Sequence, residues 1–493
     1  MKNAFLTINL LDLELIEKVH DASLSILEEM GIMIDSEKVH NILKTKGVES
    51  VLIDRKRGKT FWRIKFRKDI IAEALETAPK TITLAGKIPK YDLHLDGKGI
   101  KRSVYFGTVG GAPMIHDLET GERRASTLED LRNCARLVDI LEDIDYFHVM
   151  LMPSDVPTPV VDLYRWKTSF ENISKHSMTA AAYDTRNLPF LIEMAACVSG
   201  GEDKLRRRPI FSATECPVAP LYFGERAVEN IVDLAKAGLP VIIYSEPFAG
   251  ASSPVTLAGT LVVTNSEVLA GVAITQIINP GSPVIYGSVS TMMDLSTGNI
   301  SFGAPETGLF NAATTAMARF YGLPNLTAGG RTDSKVPDCQ AGFEKQSNVL
   351  LAALSGANLN NMAGLLESCY TASLSQLVMD DEIIKRTKRL LKGFSLDNDK
   401  LAVDLIKEVG PGGQYLGNEH TLHHMLDECL VPNISNKGSY EDWKKKGALS
   451  LEQVAQLKAK ELLRANKSPT LEEEKIKELG KIIQHAEKMH GVK

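Results

Sequence analysis

The feature that most constrains this chain is a repeating alternation in its middle. Short apolar, β-branched runs alternate there with helical stretches. The runs are "YFHVMLM" near 146, "HSMTAAAY" near 176, "RPIFSATE" near 208, "LPVIIYSE" near 239, "SPVIYGSV" near 282, "ISFGAPE" near 300, "PNLTAGG" near 324 and "NLNNMAGLLE" near 358. Amphipathic stretches such as "GERAVENIVDLAKAG" and "TGLFNAATTAMARFYG" separate most of them. A strand period giving way to a helix period and back marks a β/α unit. Eight units over about 230 residues match the (β/α)₈ barrel in number and size. The gap from the fifth run to the sixth is short, so its crossover helix must be small or missing. A doubly wound open sheet is the alternative. It would carry a Gly-rich fingerprint after its first strand, and "VMLMPSDVP" is not one.

The flanks read differently. Residues 1–135 predict a helix over about 10–46, then short strands and turns such as "FWRIKF", "TITLAG", "YDLHLDGKG" and "VYFGTVGG". They are expected to pack on a barrel formed by 136–400. Thr127 and Asp130 have capping-box spacing ahead of "LEDLRNCARLVDIL". Residues 401–493 read as a helical extension that packs outside the barrel, joins an oligomer or projects.

Composition narrows the function classes. Of 493 residues, 44% are hydrophobic and the formal charge is -5, so no global basic field points to nucleic acid. No uninterrupted run of about 18 apolar residues occurs, which argues against a membrane span. Six cysteines without a C-x-x-C pair suit reduced thiols and a cytoplasmic setting. The N-terminus shows no signal-peptide pattern.

In a (β/α)₈ barrel the active site lies where strands end and loops begin. Those ends carry Ser154, Asp155, Tyr183, Glu215, Ser245, Glu246, Ser288, Glu306, Arg331, Asp333 and Glu367. The densest is "LTAGGRTDSKVPDCQAG", where two glycines introduce four charges. A guanidinium such as Arg331 suits a bidentate grip on a carboxylate or phosphate, its alternative being a salt bridge to Asp333 or Asp338. Glu215, Glu246 and Glu367 are candidate ligand contacts or loop braces. Tyr105 and Tyr222 border glycine turns, as core residues or as walls of a cation cage. In "HTLHH", His420 and His424 share a helical face, but no acidic base lies between them, so no metal is expected.

Several segments together resemble the trimethylamine methyltransferase (MttB) superfamily: "DLYRWKTSFENISKH", "GGRTDSKVPDCQAGFEK", "LAALSGANL", "LVMDDEIIKR" and "VGPGGQYLGNEHTL". The resemblance implies a (β/α)₈ barrel. It also implies transfer of a methyl group from a methylated amine to the cobalt of a corrinoid carried by a separate small protein. No cofactor is then expected on this chain, and no catalytic nucleophile. The trimethylamine enzymes carry pyrrolysine in the loop corresponding to "TDSKVPDCQAG"; this chain has only standard residues there, with the corresponding position at or near Val336. The departure points to the non-pyrrolysine branch and to quaternary amines such as betaines. Arg331 would then hold a carboxylate, at least one of Tyr105 and Tyr222 would face the ammonium, and Asp333, Glu215, Glu246 and Glu367 would be further substrate contacts, Glu367 suiting a hydroxyl or a more distant cation. A homo-oligomer is expected. Rival readings are a barrel lyase or hydrolase, and a non-catalytic barrel that binds betaines or the corrinoid protein.

Overall fold

A computed structural model describes residues 3–4, 6–56, 58–99, 103–465 and 470–492. Eight parallel strands close into a barrel, in the order Tyr105–Thr108, Tyr146–His148, His176–Thr179, Phe211–Glu215, Val241–Ser245, Val284–Ser288, Asn325–Thr327 and Leu359–Ala363. The eighth strand pairs with the first, Leu359 opposite Tyr105. Helices follow each strand and pack outside, beginning with Leu128–Ile140, whose capping box at Thr127 and Asp130 forms as predicted.

Seven of the eight predicted runs are barrel strands. The sixth, "ISFGAPE", is not. Its Asn299–Ser301 pairs antiparallel with Thr291–Asp294 in a small sheet beside the fifth and sixth barrel strands. The physical reason is length: a parallel neighbour needs a crossover of a dozen or more residues, whereas an antiparallel one needs only a hairpin. The missing strand is Tyr105–Thr108, inside the span assigned to N-terminal additions, so the barrel begins before residue 136. It was obscured because turns, not a helix, surround it until Leu128.

The barrel's base is closed by a hairpin, Thr81–Leu84 with Leu93–Asp96. Its Ile82, Leu84, Leu93 and Leu95 are buried against Ile242, Ile285, Leu326 and Leu359 from inside the barrel. Each such side chain contributes roughly 1.5–3 kcal/mol when fully removed from water.

The helix Leu257–Ile278 is long and apolar enough to cross a membrane by composition, but it is 83% buried within the fold. It lies between the fifth and sixth strands and helices Leu13–Ser25, Lys68–Thr77, Glu225–Ala237 and Pro305–Tyr321, which is why most of its residues are buried. The C-terminal helices Leu451–Ala465 and Glu473–Met489 bury Ala455, Ala459, Leu479, Ile482 and Ile483 against the barrel's outer helices. Residues 466–469 of that predicted helical stretch lie outside the described residues.

Candidate active site

The mouth of the barrel is built by alternation. In the fifth strand Ile242 and Tyr244 join the inward cluster, while Ser245 turns outward and donates to Glu267 Oε2 at 2.6 Å. The same period brings Glu246 back over the mouth. In the second and eighth strands Tyr146, His148 and Asn361 face inward by the same rule.

The seventh strand delivers the charge. Gly329 has φ +58°, and a Cβ there would sit 2.6 Å from Asn361 O. A Cβ on Gly330 would meet Lys345 O at 2.5 Å. No other residue lets the chain pass between the eighth strand and helix Cys339–Ser355, and that passage turns Arg331 inward. Arg331 is buried, at 4% exposure. Its Nη2 donates to Tyr244 Oη at 2.6 Å, and its guanidinium carbon lies 4.5 Å from the centre of the Phe302 ring. Glu246 Oε1 is 3.9 Å from Nη1, too far for a hydrogen bond. Nε is buried without a partner.

Below Arg331 lies a polar floor. Tyr244 Oη also accepts from Asn361 Nδ2 at 3.0 Å; Asn361 Oδ1 accepts from Tyr146 Oη at 2.8 Å. Asn361 Nδ2 lies 3.1 Å from His148 Nδ1. Burial, helped by Arg331 and Arg165, lowers the His148 pKa to about 3, so its ring is neutral and accepts at Nδ1. Burial raises the Glu246 carboxyl, with Arg331 opposing. Phe248 stands edge to face with Phe302, their centres 6.3 Å apart.

A strained loop closes the rim. Glu367, Ser368 and Cys369 all have positive φ, at 53°, 49° and 76°. Their conformation is held by Glu367 N donating to Ser334 O and Ser368 N to Thr332 O. Non-glycine residues keep such angles only where surroundings over-determine them. Burial raises the pKa of the Cys369 thiol, and the Arg331 charge opposes that shift.

The structure sorts the sequence candidates. Arg331 and Glu246 meet at the mouth. Asp333 braces instead: its two oxygens accept from Ser301 and Ser368 Oγ, both at 2.6 Å. Glu367 pairs with Arg123 Nε at 3.0 Å and accepts from Thr371. Glu215 is buried in the wall, where Oε1 accepts from Ala181 N and Asn230 Nδ2 while Oε2 has no partner. Burial raises its pKa to about 8.

Two aromatic candidates lie elsewhere. Tyr105 starts the first strand, so its ring is at the base, where Oη accepts from His94 N at 3.2 Å. Tyr222 is in a strand paired with Ile32–Ile34, its ring 6.2 Å from Phe61 on the N-terminal sheet. Neither reaches the mouth. Val336 is 47% exposed on the outer face of its loop, in a depression shared with His116 and Gln453. His420 and His424 come together with Asp399, their donor atoms within 4.8 Å of one another. His424 Nε2 is 3.0 Å from Asp399 Oδ2 and His420 Nε2 is 3.0 Å from Asp399 O, contacts that account for the grouping without an ion.

Sequence reasoning missed Tyr244, Asn361, His148, Phe248 and Phe302. The period-2 parity of the fifth strand would have singled out Tyr244, since Ser245 and Tyr244 cannot both face inward. Nothing local marks Phe302, which lies in the run misread as a barrel strand.

Residues 1–491 match the family described as trimethylamine methyltransferase (MTTB). The trimethylamine methyltransferase MttB of Desulfitobacterium hafniense (strain DSM 10664 / DCB-2) is 36% identical over 474 residues, 96% of this chain and 93% of that one. The glycine betaine methyltransferase of Desulfitobacterium hafniense (strain Y51) is 34% identical over 468 residues, 94% of each chain. The solved structure of the Methanosarcina barkeri monomethylamine methyltransferase (MtmB) matches with a TM-score of 0.51 at 13% identity, covering 93% of this chain and 88% of that one. At that identity the likeness is one of fold.

Proposed function

From the premise that this chain belongs to the trimethylamine methyltransferase family, we propose that it is a methyltransferase that takes a methyl group from a betaine-type quaternary amine. The acceptor is the cobalt of a corrinoid carried by a separate small protein, and the reaction runs in the cytoplasm. One observation carries the substrate class: a buried guanidinium whose Nε has no partner and whose nearest carboxylate is 3.9 Å away. Such a cation is costly to bury unless a charge pairs with it. A substrate carboxylate satisfies Arg331 Nε. The ammonium end of the same zwitterion lies against Glu246 and the ring of Phe248.

The chemistry asks little more of the chain. A quaternary nitrogen leaves as a neutral tertiary amine, keeping the electron pair of the broken N–C bond, so no general acid is needed. The reduced corrinoid, when docked, supplies the nucleophile. What this chain does is bind, orient and exclude water. Transfer consumes the ammonium charge, so a dry aromatic wall favours the charge-dispersed transition state over the solvated cation. The neutral His148 and the Tyr146–Asn361–Tyr244 floor hold Arg331 in place without adding charge.

Titration calorimetry tests this reading. Glycine betaine should bind, and choline, which lacks the carboxylate, should bind far more weakly. Affinity for the betaine should fall as pH drops through the raised Glu246 pKa, because the protonated acid no longer attracts the ammonium. Equal affinity for choline and glycine betaine would remove the carboxylate from the argument.

A further inference from the structure

Residues 394–426 break the pattern of the rest of the fold. Helices Asn398–Leu401, Val403–Val409 and Glu419–Glu428 bury no residue at all. Ten large apolar side chains between Phe394 and Leu426 are exposed, among them Leu416 at 84%, Leu426 at 71% and Leu422 at 64%. In helix Glu419–Glu428, Leu422, Met425 and Leu426 follow the i, i+3, i+4 rule, so they form one apolar stripe. Helices Leu451–Ala465 and Glu473–Met489 turn such stripes onto the barrel; this one faces solvent.

The segment is ordered by polar contacts. Lys400 bonds Asp427 and Glu428, Arg389 Nη2 donates to Glu428 O at 2.7 Å, and His424 meets Asp399. Exposed ion pairs are worth about 0–1 kcal/mol each, which does not offset the entropy of ordering some thirty residues at about 1 kcal/mol or more apiece. A further apolar burial is missing.

We infer that this segment is the surface through which two copies of the chain associate. The exposed apolar residues amount to on the order of 1,000 Å² per copy, against the roughly 800 Å² per partner of a stable interface. A set of exposed apolar side chains of that size fits an obligate contact between like chains better than a transient partner, whose surface is as polar as any other. Location points the same way. Helix Leu374–Lys392 descends from the rim, so Gly393 is at the base. There residues 3–4 pair with 394–395, and Ile8 N donates to Leu354 O. A protein that must present a group to the mouth does not cover the base. The same patch on both copies gives a closed two-fold pair.

Light scattering after gel filtration tests this. The wild type should run at twice the chain mass or a multiple of it. The double variant Leu416→Asp/Leu426→Asp should run as a single chain with unchanged circular dichroism and betaine affinity. Leu295→Asp, equally exposed away from the segment at 66%, should change nothing. A wild type of single-chain mass throughout a dilution series overturns the inference, as does one that gains mass only when a corrinoid-binding protein is added. A double variant that keeps the wild-type mass also overturns it. Should that variant misfold, hydrogen exchange of the wild type decides. Protection of amides 403–428 that grows with protein concentration supports the contact, and protection independent of concentration refutes it. None of these readouts depends on methyl transfer.

Discussion

The two ends of the barrel are made by the same eight strands and yet behave as opposites. At the base the inward residues are Ile242, Ile285, Leu326 and Leu359, sealed by the hairpin that carries Ile82 and Leu93. One or two inward positions further along, the fifth and eighth strands present Tyr244 and Asn361, and the loops add Arg331 and Glu246. The base is an apolar plug whose polar Tyr105 Oη already has a partner in His94 N. The mouth holds a charge with an unpaired donor over a hydrogen-bonded floor. Stability is therefore expected to concentrate at one end and, on the proposed function, binding at the other, and substitutions should separate them.

The largest expected effect tests the base. Leu93→Ala leaves a cavity in the plug and should cost about 2–5 kcal/mol of stability, read by urea unfolding, with betaine affinity unchanged. A matching loss of affinity would mean the two ends are coupled.

The next concerns the buried acid in the mouth's wall. Glu215 is raised to about 8, so the folded state holds its proton where the unfolded chain has released it. Its contribution is complete below the unfolded pKa, near 4.5, and is lost as pH rises toward 8. Stability of the wild type should fall across that window, and Glu215→Gln should flatten the decline. An identical slope in both would show that Glu215 is ionised.

Arg331→Met should weaken glycine betaine binding by about 1.5–3 kcal/mol, the range for a hydrogen bond to a charged group. Stability should change less than at Leu93, because the loss of Tyr244's donor is offset by removing a buried charge. Unchanged affinity would return the mouth to the status of a structural network.

The smallest effect concerns the cation wall. Phe248→Leu keeps bulk but removes the ring face, and should weaken betaine binding by about 0.5–2 kcal/mol. The neutral analogue with carbon in place of nitrogen should be much less affected. If both ligands lose affinity equally, Phe248 contributes shape alone.

Legibility differed between these ends for a physical reason. The base is read from hydrophobic runs, which is why seven barrel strands were visible in the sequence. At "ISFGAPE" the short gap, read as a small or missing crossover helix, leaves room only for an antiparallel hairpin, because a parallel neighbour needs a dozen or more residues. Arg331 was legible because two glycines and a charge follow a buried run. Tyr222 lies off the mouth because its strand joins the N-terminal sheet, and Tyr105 because an aromatic residue beside a glycine looks the same at either end of a strand. Only the direction in which the strand enters the barrel tells base from mouth.

By itself the sequence determined the (β/α)₈ architecture and the family, and it marked Arg331 as a candidate at the barrel's mouth. Periodicity, spacing and local motifs are properties of the chain alone. Only the tertiary structure decided which groups Arg331 meets. Tyr244, Asn361 and Phe302 come from three separate segments, and barrel closure sets their distances. It also decided that Asp333 and Glu367 brace the rim, through Ser301, Ser368 and Arg123, which lie far from them in sequence. A side chain's type limits what it can bind; its packed neighbours decide whether that capacity is already spent.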